Sequence, residues 1–313
     1  MIIPPMDESR IRALEASAPT MRFLVAEDVR RAIDLAPGAE AVLSYSDPRI
    51  WEAASGLRWV QAPSAGVESY PFELFRRRGV VLTNAKRIYG VQLADHALAL
   101  ILALSRQLPF LFRAQDREVW VSRDSYPPGE LDGETLLVVG LGGTGLEVAR
   151  RAKSFGMRVV ATRLRPGNPV PPFVDELHPA DALGGLLGKA DWVVICVPLV
   201  PGTRDLIGES QLRGMKRSAR IVCVTRGGII NTDALVRALR EEWIAGAGLD
   251  VTDPEPLPAG HPLWKMDNAI ITPHAAGHSP KAGERMFALL KENVARFCAG
   301  RELENVVDLE LGD

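Results

Sequence analysis

Gly140-Leu141-Gly142-Gly143-Thr144-Gly145 fits the pattern G-x-G-x-x-G, and its flanks decide the fold. It follows Thr135-Leu136-Leu137-Val138-Val139, an apolar run that reads as a buried parallel strand. Leu146, Val148, Ala149, Ala152 and Phe155 then recur on one helical face, and Met157-Arg158-Val159-Val160-Ala161 makes a second apolar run. Strand, glycine turn, helix and strand form a dinucleotide-binding unit. Gly140 permits the tight turn, Gly142 lets the backbone approach a pyrophosphate, and Gly145 lets the helix lie close to the strand. Gly143 and Thr144 open the helix, whose N-terminal N–H groups and positive dipole end face the phosphates.

An acidic residue usually closes the second strand of such a unit and holds the ribose 2′-OH. Here that place reads Thr162-Arg163, with Arg165 close behind. A guanidinium suits a 2′-phosphate. The expected cofactor is therefore NADP(H), with NAD(H) as the alternative.

A chain of 313 residues is long enough for two domains, and its net charge of −2 mixes both signs along the chain. No nucleic-acid or membrane surface is expected. Cys196, Cys223 and Cys298 are scattered, Cys196 and Cys223 read as buried reduced thiols, and His178, His261 and His278 have no metal-ligand spacing, so no metal is expected. The N-terminus shows no export signal, and a cytoplasmic location follows as an expectation.

Strands are expected at 22–26, 41–45, 57–62 and 80–84, with helices at 7–15, 27–32 and 72–77. A long apolar helix at 93–108 is expected to be buried between two domains, and a polar, turn-rich stretch at 113–134 precedes the glycine unit. Beyond that unit, strands are expected at 192–197, 220–225, 245–251 and 269–272, with helices at 180–187, 232–241 and 280–298. The expected fold class is α/β with two doubly wound parallel-sheet domains. A Rossmann-type cofactor domain over 99–275 is inserted into a smaller, flavodoxin-like substrate domain made of 1–98 and 276–313. The cleft between them is the expected active site.

Arg226, Glu255 and His274 each lie just beyond the end of an expected strand. Ligands of doubly wound sheets bind outside the carboxyl ends of strands. A guanidinium can grip a carboxylate or keto oxygen with two hydrogen bonds, an imidazolium can protonate that oxygen, and a carboxylate can orient the imidazole. Any one alone is an ordinary loop residue; the three together behind a nucleotide unit read as a catalytic set for hydride transfer to a 2-keto acid.

The chain also resembles the D-2-hydroxyacid dehydrogenase family, in particular its glyoxylate and hydroxypyruvate reductase branch. The segments that carry this are Gln61-Ala62-Pro63-Ser64-Ala65-Gly66-Val67-Glu68, Thr83-Asn84-Ala85, Ala94-Asp95-His96-Ala97-Leu98-Ala99-Leu100, the glycine loop, Val197-Pro198-Leu199-Val200-Pro201-Gly202-Thr203-Arg204, Thr225-Arg226-Gly227-Gly228, Leu249-Asp250-Val251 through Pro254-Glu255-Pro256-Leu257-Pro258, and Thr272-Pro273-His274. The resemblance implies that Arg226, Glu255 and His274 are the catalytic triad. It implies that backbone amides of Ala65, Gly66 and Val67 grip the substrate carboxylate, with Arg226 as a second contact. Asp250 would hold the nicotinamide carboxamide, and Val197, Pro198 and Thr203 would lie at the adenine and ribose end. The implied partners are a small 2-keto or D-2-hydroxy acid and a second copy in a homodimer built through the nucleotide domains.

Three expectations remain open. The family usually has small residues after Thr-Asn-Ala, whereas this chain has Lys86-Arg87-Ile88-Tyr89; the cations point to solvent, or Arg87 or Tyr89 shapes the substrate side. His96, in an apolar helix, is expected to be a satisfied, buried histidine. Function divides between reduction of a small keto acid and a nucleotide-sensing scaffold of the corepressor type. Phosphoglycerate oxidation is the weaker enzymatic alternative, since the chain ends at Asp313 without room for an appended regulatory domain.

Overall fold

The computed structural model describes residues 1–164 and 169–310, and the chain divides into two compact units. The first contains Met1–Tyr89 and the segment from Ser279 onward; the second is Gly90–His278. The junctions fall at 89/90 and 278/279, where the sequence reading places them at 98/99 and 275/276.

The first unit holds a parallel sheet of β1 (Ile2–Ile3), β2 (Leu24–Val25), β3 (Ala41–Leu43), β4 (Trp59–Gln61) and β5 (Val81–Thr83), in the order β2-β1-β3-β4-β5. That is the flavodoxin-like order. Three of its helices start at Asp7, Asp28 and Asp47, whose carboxylates accept the N–H of Arg10, Arg31 and Arg49. Side chains alternate across the sheet. Ile2, Val42, Val60 and Leu82 pack on one face; Ile3, Ala41, Leu43 and Trp59 pack with Leu290 and Val294 of the helix Pro280–Cys298 on the other. A buried polar cluster ties that helix in: Asn293 Nδ2 donates to Gln61 Oε1 at 3.1 Å and to the Glu304 carbonyl at 3.1 Å.

The second unit holds seven parallel strands: β6 (Thr135–Val139), β7 (Arg158–Arg163), β8 (Glu176–Pro179), β9 (Trp192–Ile195), β10 (Arg220–Cys223), β11 (Gly246–Leu249) and β12 (Ala269–Ile271), ordered β12-β11-β10-β9-β6-β7-β8. Leu137, Val139, Val193, Ile195 and Ile221 form one core, and Leu136, Val138, Val194 and Val222 form the other. Both faces are thus covered, as a doubly wound sheet requires. The apolar helix spans Gly90–Ser105 and packs on the helix Gly143–Ser154 and on β10 and β11. A Cβ at Gly248 would lie 3.0 Å from Leu100 Cβ, so glycine in β11 sets how closely this helix approaches.

Several elements differ from the sequence reading. β1 and β8 are additional strands. A helix at Pro48–Ala53, opened by a proline at its first position, is also additional. The long helix stops at Ser105, and after Gln107 (φ 55°) a second helix runs Leu108–Asp116 into the stretch expected to be irregular.

Candidate active site

The strand order places the switch point between β6 and β9. The glycine turn leaves β6 there. Gly140 has φ +97°, and a Cβ on it would sit 2.6 Å from Val197 Cγ1, so this residue must be glycine for conformation and for space. A Cβ on Gly145 would lie 2.1 Å from the Gly140 carbonyl oxygen, which fixes the close packing of the helix Gly143–Ser154 on the turn. Gly142, the N-cap, is exposed, and a Cβ there would meet nothing within 4 Å. Gly143 and Thr144 begin the helix, where backbone N–H groups have no intrahelical acceptor.

β7 ends beside this turn. Thr162 Oγ1 accepts the Gly140 N–H at 3.2 Å, and the Thr162 carbonyl accepts the Leu141 N–H at 2.8 Å. Arg163, the next residue and half-buried, therefore stands at the edge of the glycine turn. Arg165 lies outside the described residues. Val197 packs on Gly140, and the loop after it is closed by Thr203, whose hydroxyl donates to the Pro198 carbonyl at 2.6 Å and accepts the Val200 N–H at 2.8 Å.

Arg226, Glu255 and His274 follow three neighbouring parallel strands, β10, β11 and β12, and so share the carboxyl edge of the sheet. His274 Nδ1 and Glu255 Oε1 are 2.5 Å apart. A carboxylate only accepts, so Nδ1 carries the proton and Nε2 is left for another partner. Glu255 Oε2 accepts the Thr252 N–H at 3.4 Å. Arg226, half-buried, donates from Nη1 to the Thr225 carbonyl at 2.9 Å. A Cβ on the next residue, Gly227, would fall 2.0 Å from the Thr252 carbonyl oxygen, so glycine here lets the arginine turn lie against the loop that carries Glu255.

Asp250 is buried, and its carboxylate is largely occupied from within. Oδ1 accepts from the Thr272 hydroxyl at 2.5 Å and the Ala275 N–H at 2.9 Å; Oδ2 accepts the Ala276 N–H at 2.9 Å. His96 is half-buried rather than buried, and its Nε2 lies 2.8 Å from Thr272 Oγ1. The sequence motifs included Thr272 but pointed to no role for it, because its partners are distant in the chain.

In the first unit, the loop with Ala65, Gly66 and Val67 is held by its carbonyls. Pro63 accepts from Tyr89 Oη at 2.7 Å, Ser64 from the Ala85 N–H, Ala65 from Asn84 Nδ2 at 2.8 Å, Gly66 from Ser64 Oγ at 2.6 Å, and Val67 from the Tyr70 N–H. The N–H groups of Ala65, Gly66 and Val67 donate to no acceptor among the described residues. Tyr89 thus braces this loop, while Lys86 and Arg87 are exposed and Arg87 adopts φ +70°.

No group of three or more His, Cys, Asp or Glu among the described residues is placed to hold a metal, and no single helix among them is long and apolar enough to cross a membrane. Residues 98–276 match the model of the D-isomer specific 2-hydroxyacid dehydrogenase NAD binding domain, and the chain belongs to that family of oxidoreductases. It is similar to a glyoxylate reductase of Korarchaeum cryptofilum, with 36% identity over 280 residues covering 85% of this chain and 80% of the relative. A D-3-phosphoglycerate dehydrogenase of Methanocaldococcus jannaschii shows 34% identity over 262 residues, covering 82% of this chain and 49% of the relative. A D-isomer specific 2-hydroxyacid dehydrogenase from Xanthobacter autotrophicus Py2, solved in complex with NADPH and MES, matches with a TM-score of 0.83 and 28% identity over 100% of this chain and 99% of that one.

Proposed function

We propose that the protein reduces a small 2-keto acid of the glyoxylate or hydroxypyruvate type to the D-2-hydroxy acid, using NADPH. The observation that carries this reading is the His274–Glu255 pair, with Nδ1 engaged and Nε2 free to face a substrate oxygen. The glycine turn fits a dinucleotide: Gly142 is open to a pyrophosphate, and the helix behind it offers unsatisfied N–H groups. Bound there, the nicotinamide cofactor supplies the hydride.

The chain's own residues do the rest. His274 gives its Nε2 proton to the keto oxygen, and Glu255 keeps the ring oriented and stabilises the imidazolium. Arg226 holds the substrate carboxylate or keto oxygen. The three N–H groups of Ala65, Gly66 and Val67 form a small anion-binding nest for the carboxylate. Asp250 Oδ2, with one hydrogen bond from protein, retains capacity for a carboxamide N–H. Val197, Pro198 and Thr203 border the nucleotide. Arg163 reads the 2′-phosphate, supported by its place beside the glycine turn and by the absence of an acid there. A second copy covers Phe112, Val119 and the fully exposed Trp120 in a homodimer, and the three cysteines outside any disulfide suit the cytoplasm.

The test is NADPH consumption with glyoxylate, hydroxypyruvate, pyruvate and 3-phosphohydroxypyruvate. Turnover fastest with one of the first two supports the reading. Preference for the phosphorylated acid moves the substrate towards phosphoglycerate chemistry, and nucleotide binding without turnover on any acid overturns the enzymatic role in favour of a scaffold.

A further inference from the structure

His274 has φ +53°, a left-handed conformation that is unfavourable for a non-glycine residue and has to be imposed by its surroundings. Those surroundings are a polar clamp. The His274 N–H donates to the Asp250 carbonyl at 2.7 Å, and the next two N–H groups, of Ala275 and Ala276, donate to the two oxygens of the Asp250 carboxylate at 2.9 Å each. One aspartate therefore holds three successive residues of the turn.

The carboxylate is itself held. Thr272 Oγ1 lies 2.5 Å from Asp250 Oδ1, and His96 Nε2 lies 2.8 Å from Thr272 Oγ1 and 3.5 Å from Asp250 Oδ1. Proton counting fixes the direction of this chain. An ionised carboxylate only accepts, so the single hydroxyl proton of Thr272 goes to Asp250, and His96 must donate from Nε2 to the hydroxyl oxygen. His96 Nε2–H thus donates to the Thr272 hydroxyl, Thr272 donates to the Asp250 carboxylate, and the backbone N–H groups of the His274 turn donate to Asp250 from the other side. His96 comes from the helix Gly90–Ser105, Thr272 follows β12 and Asp250 follows β11. Three elements of one unit thus converge on the turn.

We propose that His96 is a positioning residue for His274: through Thr272 it fixes the Asp250 carboxylate, which in turn fixes the backbone conformation that aims His274 Nε2. This rests on the reading of His274 as the proton donor. A loosened clamp would let the turn relax from φ +53° and move Nε2, and a misplacement of about 1 Å in a catalytic group can cost about 100-fold in rate.

The experiment uses the full chain with His96→Ala, His96→Gln and Thr272→Val. Steady-state kcat and KM for the best keto acid are measured for each. Glutamine can place its amide nitrogen where the imidazole Nε2 stands, and valine removes the hydroxyl without touching the helix. His96→Ala should lower kcat about 10- to 100-fold with little change in KM, and His96→Gln should return most of that loss. Thr272→Val should lose a similar amount, with the His96→Ala/Thr272→Val double variant no slower than the slower single one. An unchanged kcat in both Ala and Val variants overturns the inference. So does a loss that His96→Gln fails to restore, or additive losses in the double variant. Failure of the wild-type protein to turn over any keto acid would instead remove the reading of His274 on which this rests.

Discussion

The glycine turn after β6 and the histidine turn after β12 stand on the same carboxyl edge of one sheet, and they are built in opposite ways. The first is shaped by missing side chains: Gly140 and Gly145 exist because a Cβ would strike Val197 or a backbone oxygen. The second is shaped by added polar bonds: His274 tolerates its backbone because Asp250 and Thr272 hold it. A steric turn fails when atoms are added, whereas a hydrogen-bonded turn fails when atoms are removed.

Four experiments press on that contrast. The largest effect is expected at His274: replacement by alanine removes the proton donor, and kcat should fall about 100- to 10,000-fold, with NADPH binding retained in a fluorescence titration. Lost cofactor binding would give His274 a different task. Next, Gly145→Ala should lower the unfolding free energy by about 3 kcal/mol in urea titration, since its Cβ would lie 2.1 Å from a backbone oxygen. Gly142→Ala should leave stability within about 0.5 kcal/mol but weaken NADPH binding, because its neighbourhood is open. Equal stability losses for the two glycines would break the steric account. Arg163→Asp should shift the NADPH-to-NADH ratio of kcat/KM by about 10-fold or more, the worth of one charge-assisted hydrogen bond. An unaltered ratio would place 2′-phosphate recognition on other residues.

The smallest perturbation alters no residue. Burial pushes the Cys223 thiol up to about 11 and the Cys196 thiol higher still, while Cys298 is partly exposed. A thiol reagent at neutral pH should label one cysteine per native chain and three after unfolding.

The steric turn was legible in the sequence and the hydrogen-bonded one was not. Glycine spacing between two apolar runs is a local signal, and so is an ionisable residue after an expected strand, which is how Arg226, Glu255 and His274 could be picked out. The clamp depends on register: Asp250 meets Thr272 only because β11 and β12 pair, and His96 reaches them from far along the chain. The same distinction explains the fold. β6 and β9 are buried on both faces and advertise themselves as apolar runs. β8 is an edge strand with Glu176, His178 and Pro179, and among the described residues its only strand partner is β7. β1 has two residues before a Pro-Pro pair and becomes a strand only between β2 and β3.

The connectivity of the first unit has a consequence for synthesis. Its sheet is complete by Thr83, yet one face is roofed by Leu290 and Val294, Gln61 receives Asn293, and Leu82 and Thr83 are flanked by Val307 and Val306. All of these emerge from a ribosome only after the whole of Gly90–His278. The unit made first is therefore the one finished last. From Thr83 until Leu290 and Val294 are made its sheet has an open apolar face, and the nucleotide unit has every residue it needs by His278, before that face can be covered.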